Sequence, residues 1–347
     1  MRSLKKLTWV IFFLFWIINC QNADCSDSPI TDTQPSLREP GTGSPGGIPN
    51  LGQTCYMNSV LQTLKAFYLP KINEKNDELA KAFQSLTQVI QDDKDVANRV
   101  EATAVFKALH NKFDWQPDPR HQEDVEELIK LIFNWMELSL AKTCYTVTNL
   151  TTLEIRSTPD SPWLTYPVEL GIEENRPDSM QDLFNNSLKR ERIKDYEWEP
   201  GKARVEVEKV SLLANLDNLY KGILVLQLKR FTTEGGNTRS DDGTLIKKEF
   251  KKVKITKEIQ DPFCLKIEKE KTAEMDRDRY YSLTGFILHT GKESDSGHYV
   301  AYIKKDDTWI LYNDDKNVST VSDTEAEARA KESYLFFYQP RQSRRVP

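Results

Sequence analysis

The sequence predicts an α+β fold, with helices in the first part of the folded region and strands in the second. Between residues 55 and 140, apolar side chains recur every three or four positions, which is the period of a helix that buries one face. From residue 147 onward the apolar runs are short, and Ala203, Val205 and Val207 alternate with charged residues, the period of a half-buried strand. Helices and strands in separate parts of a chain indicate α+β rather than alternating α/β architecture.

The helical part contains four predicted helices, of which the first follows Cys55. Met57, Val60, Leu61, Leu64 and Phe67 share one face of it, so Cys55 lies at or just inside the helix N-terminus. The other predicted helices cover residues 77–90, 103–112 and 122–140. Strands are predicted at residues 147–156, 163–170, 203–207, 223–228, 280–288, 298–303, 309–312 and 334–338, and the polar, glycine-bearing residues 235–243 predict a loop.

Composition and charge exclude several classes of protein. Lys and Arg number 48 against 53 Asp and Glu, and the net charge of −5 argues against a nucleic-acid binder that works through a basic surface. The five cysteines form no C-x-x-C pair, so we expect no structural zinc site and no metal or other cofactor.

The ends of the chain differ from its middle. Residues 1–23 begin with basic residues followed by an apolar run at 7–18, a pattern that resembles a secretory signal peptide and is shorter than the ~20 residues of a transmembrane helix. A signal peptide, a membrane anchor and a misassigned or fused leader all remain open for this segment. Residues 24–46 predict a flexible linker, residues 47–341 a folded domain and residues 342–347 a tail.

Cys55 is the strongest candidate nucleophile in the chain. Unpaired N–H groups at a helix N-terminus stabilise a thiolate, and a thiol that attacks a carbonyl also needs a hydrogen-bond donor for the developing oxyanion. Asn50, five residues upstream in a turn, offers such a donor, although a turn asparagine also bonds its own backbone.

A base and a group that orients it are available late in the chain. His298 opens a predicted strand directly after Gly297, where an imidazole can accept a proton from a thiol. The next predicted strand ends in Asn313 and Asp314, and antiparallel pairing would bring either residue close to His298. A histidine placed like His289 is more often structural.

The residues now match a family. Residues 47–64, which contain Cys55, closely resemble the cysteine box of the ubiquitin-specific proteases, and residues 281–291 with 296–302 resemble the histidine box. Residues 309–314 and 334–338 are similar to the end of that box. Residues 122–128 and 226–231 resemble two further signatures that lie between the boxes, so the resemblance covers most of the chain.

This resemblance implies a papain-like fold with a helical thumb, a β-rich palm and β fingers, and hydrolysis of the bond after the C-terminal glycine of ubiquitin. It implies Cys55 as nucleophile, His298 as base, Asn313 as third member with Asp314 as a supporting or substitute partner, and Asn50 as oxyanion donor. It also implies that Asp124 and Glu127 hold the basic tail of ubiquitin, although a solvated acidic helix face would look the same.

The chain departs from the family in ways that leave the catalytic groups in place. The zinc-binding cysteine pairs of the fingers are missing, so we expect zinc-free fingers, and Gln53 and Gly285 replace more usual residues. We expect ubiquitin and ubiquitinated proteins as partners, a monomer, and a catalytic domain in the cytoplasm or nucleus, with membrane association through residues 7–18 left open. A protease for a ubiquitin-like modifier and a non-catalytic ubiquitin-binding scaffold are the alternatives.

Overall fold

A computed structural model of the chain describes residues 46–91, 95–114, 122–139, 141–157, 161–170, 178–239, 245–291, 296–315 and 317–341. All of them lie in one compact unit, Gly43–Pro347. The predicted leader at 1–23, nearly all of the linker at 24–46 and the tail at 342–347 lie outside the described residues.

The described residues form seven α-helices, of which the first five precede all the strands, in line with the apolar spacing. They are α1 (Cys55–Phe67), α2 (Leu69–Asn73), α3 (Glu78–Gln91), α4 (Asp95–Phe113), α5 (Val125–Trp135), α6 (Met180–Ser187) and α7 (Asp323–Ala330). Helices α1 to α5 form the thumb. The predicted helix at 122–140 is shorter at both ends. The side chain of Asp124 accepts a hydrogen bond from Glu126 N and so sets the first residue of α5, and the helix ends at Trp135, shortly before Glu137 with its φ of +55°.

The strands follow in the second part of the chain. They are β1 (Ala141–Asn149), β2 (Ile155–Ser157), β3 (Ser161–Trp163), β4 (Tyr166–Glu169), β5 (Asp178–Ser179), β6 (Arg190–Tyr196), β7 (Val205–Ala214), β8 (Leu224–Lys229), β9 (Phe231–Arg239), β10 (Leu245–Lys254), β11 (Ile259–Gln260), β12 (Cys264–Ile267), β13 (Arg279–Thr290), β14 (His298–Lys305), β15 (Thr308–Asn313), β16 (Asn317–Val321) and β17 (Leu335–Pro340).

Two sheets account for most of these strands. The palm is an eight-stranded sheet in the order β16-β15-β14-β13-β17-β8-β4, with β12 paired to β13. The fingers are a five-stranded sheet in the order β2-β1-β7-β6, with β3 also paired to β1. Strands β9 and β10 form a separate antiparallel hairpin.

Helix α1 is the central element of the thumb, and it is buried on nearly every side. Met57, Val60 and Leu64 are at most 1% exposed and belong to one apolar core with Ile287 of β13 and Ala301 of β14. The polar side chains on its other side are also buried, because each forms a hydrogen bond with a backbone carbonyl inside the protein; they are Asn58, Ser59, Gln62 and Thr63. This packing fixes Cys55, the first residue of α1, against the palm sheet.

Two of the predicted strand-region elements were wrong in detail. The strand predicted at 147–156 is interrupted by a turn, because Asn149 Oδ1 accepts hydrogen bonds from the N–H groups of Thr151 and Thr152. The predicted loop at 235–243 is wrong for residues 235–239, which belong to β9 and face β10, and residues 240–243 lie outside the described part.

Candidate active site

The candidate nucleophile occupies the N-terminus of α1. Cys55 is only 3% exposed. Thr54, which precedes it, does not cap the helix with its side chain, since Thr54 Oγ1 accepts instead from Leu51 N at 2.9 Å. No Thr54 side-chain cap therefore occupies the first N–H groups of α1, and their partial positive charge favours a negative charge at the N-terminus of the helix, where Cys55 lies.

The candidate base lies at the beginning of β14, beside the end of β15. The two strands pair antiparallel with Ala301 opposite Tyr312, and continuing this register makes Asn313 the diagonal neighbour of His298 on the same face of the sheet. His298 Nε2 is 2.6 Å from Asn313 Oδ1. Because Asn313 occupies Nε2, the nitrogen left for the thiol is Nδ1.

The imidazole of His298 also forms a hydrogen bond with Cys55. This bond is the main reason that the pKa of His298 rises from 6.5 to about 9; the bond to Asn313 and the charge of Asp314 act in the same direction, and partial burial opposes them. A raised imidazole pKa favours the protonated ring, which places a positive charge beside the sulfur of Cys55. The thiol and the imidazole are therefore arranged as thiol-dependent attack on a carbonyl requires.

Asp314 is a buried carboxylate behind this pair. It is 6% exposed, and its Oδ2 atom lies 3.9 Å from His298 Nε2, beyond hydrogen-bond distance. Its two oxygens accept separate amide donors, Asn58 Nδ2 at 2.8 Å and Asn50 Nδ2 at 3.0 Å. Asp314 thus joins the end of β15 to α1 and to the turn before it, and Asn313 is the direct partner of the imidazole.

Asn50 stabilises the turn that leads into Cys55. Its Oδ1 atom accepts from the N–H groups of Gly52 and Thr54, both at 3.1 Å, while its Nδ2 atom donates to Asp314. These partners fix which end of the amide is which. A Cβ atom on Gly47 would lie 2.2 Å from Asp314 O, so the chain before Asn50 runs directly against the end of β15.

A further amide contacts the thiol from the other side. Gln122 stands just before α5, and its Nε2 atom lies 2.6 Å from Cys55 Sγ and 3.2 Å from Gly297 O. Its Oε1 atom lies 3.2 Å from His289 Nε2. His289, on β13, is 1% exposed, and its pKa falls to about 4, chiefly through burial and also through the positive charges of Lys254 and His298.

Asp124 and Glu127 are placed differently from one another. The carboxylate of Asp124 caps α5 through Glu126 N at 2.8 Å and accepts from the Tyr334 hydroxyl at 2.9 Å, and burial raises its pKa. Glu127 is exposed on the first turn of α5. Within the described residues, neither carboxylate forms a hydrogen bond or an ion pair with Cys55 or His298.

The structure therefore brings together five of the seven residues singled out from the sequence, namely Cys55, His298, Asn313, Asp314 and Asn50. It adds Gln122, His289 and Asn58 to the surroundings of these groups. Gln122 lies in the signature at residues 122–128, but its contact with Cys55 spans 67 positions, and a glutamine before a helix has no local sequence signal that would reveal it.

The described residues offer no obvious metal centre or membrane span. They contain no group of three or more His, Cys, Asp and Glu side chains that could hold a metal ion. Among the same residues, no helix is long and apolar enough to cross a bilayer. The apolar run at 7–18 lies outside this part of the chain.

Comparison with known families and sequences places these residues in context. The family model described as ubiquitin carboxyl-terminal hydrolase matches residues 46–338. Ubiquitin carboxyl-terminal hydrolase 26 of Arabidopsis thaliana is 26% identical over 81% of this chain, and ubiquitin carboxyl-terminal hydrolase 14 of Caenorhabditis elegans is 23% identical over 87%. The chain spans 27% of the length of the first relative and 74% of the second.

Solved structures confirm the predicted fold. The structure of the SAGA Ubp8/Sgf11/Sus1/Sgf73 DUB module bound to ubiquitin aldehyde contains a chain that aligns with a TM-score of 0.68, at 18% identity, over 98% of this chain and 76% of its own length. A related structure of that module bound to monoubiquitin aligns with a TM-score of 0.67. The α+β, papain-like architecture predicted from the sequence is thus shared with these chains.

Proposed function

The chain belongs to the ubiquitin carboxyl-terminal hydrolase family, and on that premise we propose that it is an active cysteine deubiquitinase. The proposal rests on one observation above all: a thiol at a helix N-terminus is hydrogen-bonded to an imidazole, which is in turn oriented by an amide oxygen 2.6 Å away. These are the groups that thiol-dependent acyl transfer requires.

The reaction would proceed through an acyl-enzyme. The thiolate of Cys55 attacks the carbonyl carbon of the C-terminal glycine of ubiquitin, and the imidazolium of His298 gives its proton to the departing lysine amine. Water then attacks the thioester, with neutral His298 as the base, and releases ubiquitin and the free thiol.

The oxyanion would be held at the N-terminus of α1. The Cys55 N–H is in position to donate, and the Asn50 amide carries two hydrogens, of which the bond to Asp314 uses one. Asn50 therefore supports the turn and retains a second N–H for the oxyanion. This double use follows from the fixed orientation of its amide.

Ubiquitin and ubiquitinated proteins are the proposed substrates, and the tail of ubiquitin is basic. Glu127 is exposed and Asp124 lies at the same helix end, where carboxylates can form charge-assisted hydrogen bonds with arginine side chains. Both residues are proposed here as tail-binding groups, and Asp124 also serves as the cap of α5.

The test is covalent labelling by ubiquitin that carries a C-terminal electrophile. We expect wild type and Cys144→Ala to be labelled and Cys55→Ala to remain unlabelled; Cys144, on β1 in the fingers, is the matched control for the loss of a thiol. Competition with probes built on ubiquitin-like modifiers identifies the preferred modifier. Folded wild type that binds ubiquitin but is never labelled would support a non-catalytic scaffold and reject the proposal.

We also propose a monomeric catalytic domain that faces the cytosol or nucleus. This placement is compatible with attachment of the chain to a membrane through residues 7–18. Three N-x-S/T acceptors at Asn149, Asn185 and Asn317 make this testable. Asn149 is 3% exposed, and Asn317 pairs with Asn313 across β15 and β16, so a glycan there would crowd the site. A mobility shift after glycosidase treatment of the cellular protein would contradict this placement.

A further inference from the structure

A chain of three side chains leads from the buried interior of the palm to the sulfur of Cys55. It begins at His289, passes through the amide of Gln122 and ends at Cys55 Sγ. The reaction described above uses neither His289 nor Gln122, and both are buried, at 1% and 5% exposure.

The orientation of the Gln122 amide is fixed by chemistry. One end of the amide lies 3.2 Å from Gly297 O, and a carbonyl oxygen can only accept a hydrogen bond. The atom that faces it must therefore be the NH2 group, which also contacts Cys55 Sγ at 2.6 Å. The amide oxygen is consequently the end that faces His289.

This orientation also determines the tautomer of His289. Gln122 Oε1 can only accept, so the nitrogen of His289 that contacts it, Nε2, must carry the proton. The lowered pKa of His289 keeps the ring neutral near pH 7, and its Nδ1 atom has no hydrogen-bond partner among the described residues. Among the described residues, the imidazole of His289 therefore has one hydrogen-bond partner, Gln122.

The backbone at Gly297 permits this arrangement. Gly297 has φ of +149°, and a Cβ atom there would lie 2.6 Å from His289 Nε2 and 2.2 Å from Thr290 O. Only a glycine lets the loop lie this close to His289 while its carbonyl accepts from Gln122. His298 is the next residue after Gly297. One segment therefore positions both groups that contact the thiol, the imidazole of His298 directly and the amide of Gln122 through Gly297 O.

We propose that Gln122 is a catalytic residue that donates a hydrogen bond to the Cys55 thiolate, and that His289 is the positioning residue that holds the Gln122 amide in the donating orientation. A donated hydrogen bond stabilises the charged form of a buried sulfur more than the neutral form. The inference rests on the proposed role of Cys55 as nucleophile.

Several charged and titratable groups surround Cys55 and His289, the two ends of this series of hydrogen bonds. The charge of Cys55 acts on His298, Tyr56 and Tyr299, and Glu123 acts on Tyr56 from the segment before α5. The positive groups that act on His289 are Lys254 and His298. Gln122 is uncharged, so replacing it with another neutral side chain leaves this charge distribution intact.

The test is the pH profile of Cys55 alkylation by chloroacetamide, followed by mass spectrometry of the Cys55 peptide. The reagent reacts with the thiolate, so its rate reports the fraction of ionised Cys55 without any ubiquitin. For Gln122→Leu we expect a midpoint at higher pH and a rate at least about tenfold lower below the midpoint, since a charge-assisted hydrogen bond is lost.

Variants of His289 test the same series of hydrogen bonds without changing Gln122. His289→Leu removes the donor to Gln122 Oε1 and should shift the midpoint in the same direction, whereas His289→Gln can still donate and should restore part of the wild-type profile. Gln181→Leu is the matched control: Gln181, on α6, bonds Lys266 and Asn185, and its loss should leave the profile unchanged.

The outcomes separate this inference from the proposed function. Folded Gln122→Leu with the wild-type alkylation profile would overturn the inference, even if ubiquitin probes still label Cys55. If Gln122→Leu fails to fold, identical profiles for wild type, His289→Leu and His289→Gln would overturn it instead. Shifted profiles support the inference even in the absence of any ubiquitin hydrolysis.

Discussion

At the scale of single residues, the site depends on which acceptor faces which donor. Asn313 is the direct partner of His298 at 2.6 Å, whereas Asp314 lies 3.9 Å from the same nitrogen and binds two amides instead. The sequence placed both residues near the base but could not rank them, because the two stand next to each other at a strand end. The ranking depends on side-chain directions that only the folded hairpin fixes.

The first prediction concerns Asn313. Asn313→Ala removes the acceptor that orients the imidazole, and we expect kcat/KM on a ubiquitin C-terminal amide to fall about 10- to 100-fold, the usual effect of losing an orienting group. Asn313→Asp keeps an acceptor oxygen and should retain more activity. Equal activity of wild type and Asn313→Ala would show that the contact does not orient the base.

A second prediction follows from the raised pKa of His298. The hydrogen bonds to Cys55 and Asn313 favour the protonated ring, so its contribution to stability is complete below pH 6.5 and is lost as the pH rises through about 9. The general acid is lost over the same range, and kcat/KM should decline with an apparent pKa of about 9. Asn313→Ala should move this decline to lower pH.

Rate measurements from pH 6 to 10.5 on a substrate with a fixed leaving group test that decline. A rate that stays level to pH 10.5, or a decline that Asn313→Ala leaves in place, would contradict the assigned role of His298.

At the scale of elements, α1, the strand β14 that begins with the base and the strand β15 that ends with its partner Asn313 were predictable from the sequence. Helix α5 was predictable only in part. The apolar stripe of α1 and the strand beginning at His298 agree with their sequence patterns, since their core contacts repeat with regular periods. The start of α5 is set by the Asp124 cap rather than by apolar spacing, and the place of Gln122 beside Cys55 is set by the packing of α5 against α1.

The third prediction separates the two roles of Asp124. Asp124→Asn keeps an oxygen to cap α5 but removes the charge and the acceptor for the Tyr334 hydroxyl, so the free energy of unfolding should fall by about 1 kcal/mol while KM for ubiquitin substrates rises. Asp124→Ala also removes the cap and should lower the free energy of unfolding by about a further 1 kcal/mol.

Urea unfolding together with steady-state kinetics makes the measurement, and Glu127→Gln, an exposed neutralisation on the same helix turn, is the comparison for loss of charge alone. An unchanged KM in Asp124→Asn would remove Asp124 from the proposed tail-binding surface and leave it as a helix cap.

At the scale of the whole molecule, the fingers have a small side-chain core in addition to the backbone pairing of their strands. Val147, Val207 and Trp198 form a small separate core, and the Arg156 guanidinium lies 4.1 Å from the Trp198 ring centroid. Arg156 also donates to Trp198 O at 2.5 Å. The zinc-free fingers expected from the missing cysteine pairs would thus depend on this cluster.

The fourth prediction is that a strong zinc chelator leaves the thermal midpoint and the activity unchanged, while Trp198→Ala lowers the free energy of unfolding by about 3 kcal/mol through loss of a buried aromatic side chain. Differential scanning calorimetry with and without chelator makes the comparison. A chelator-dependent fall in the midpoint would show a structural metal in the fingers or elsewhere in the chain.

The account as a whole depends on Cys55 and His298 acting together on a ubiquitin acyl bond, and cleavage of a ubiquitin–lysine isopeptide conjugate tests this most directly. Product formation should be seen with wild type and should fall at least about 10³-fold in both Cys55→Ala and His298→Ala, with no further loss in the double variant, because the two groups act as one unit. Cleavage that persists at the wild-type rate in either single variant would contradict the account.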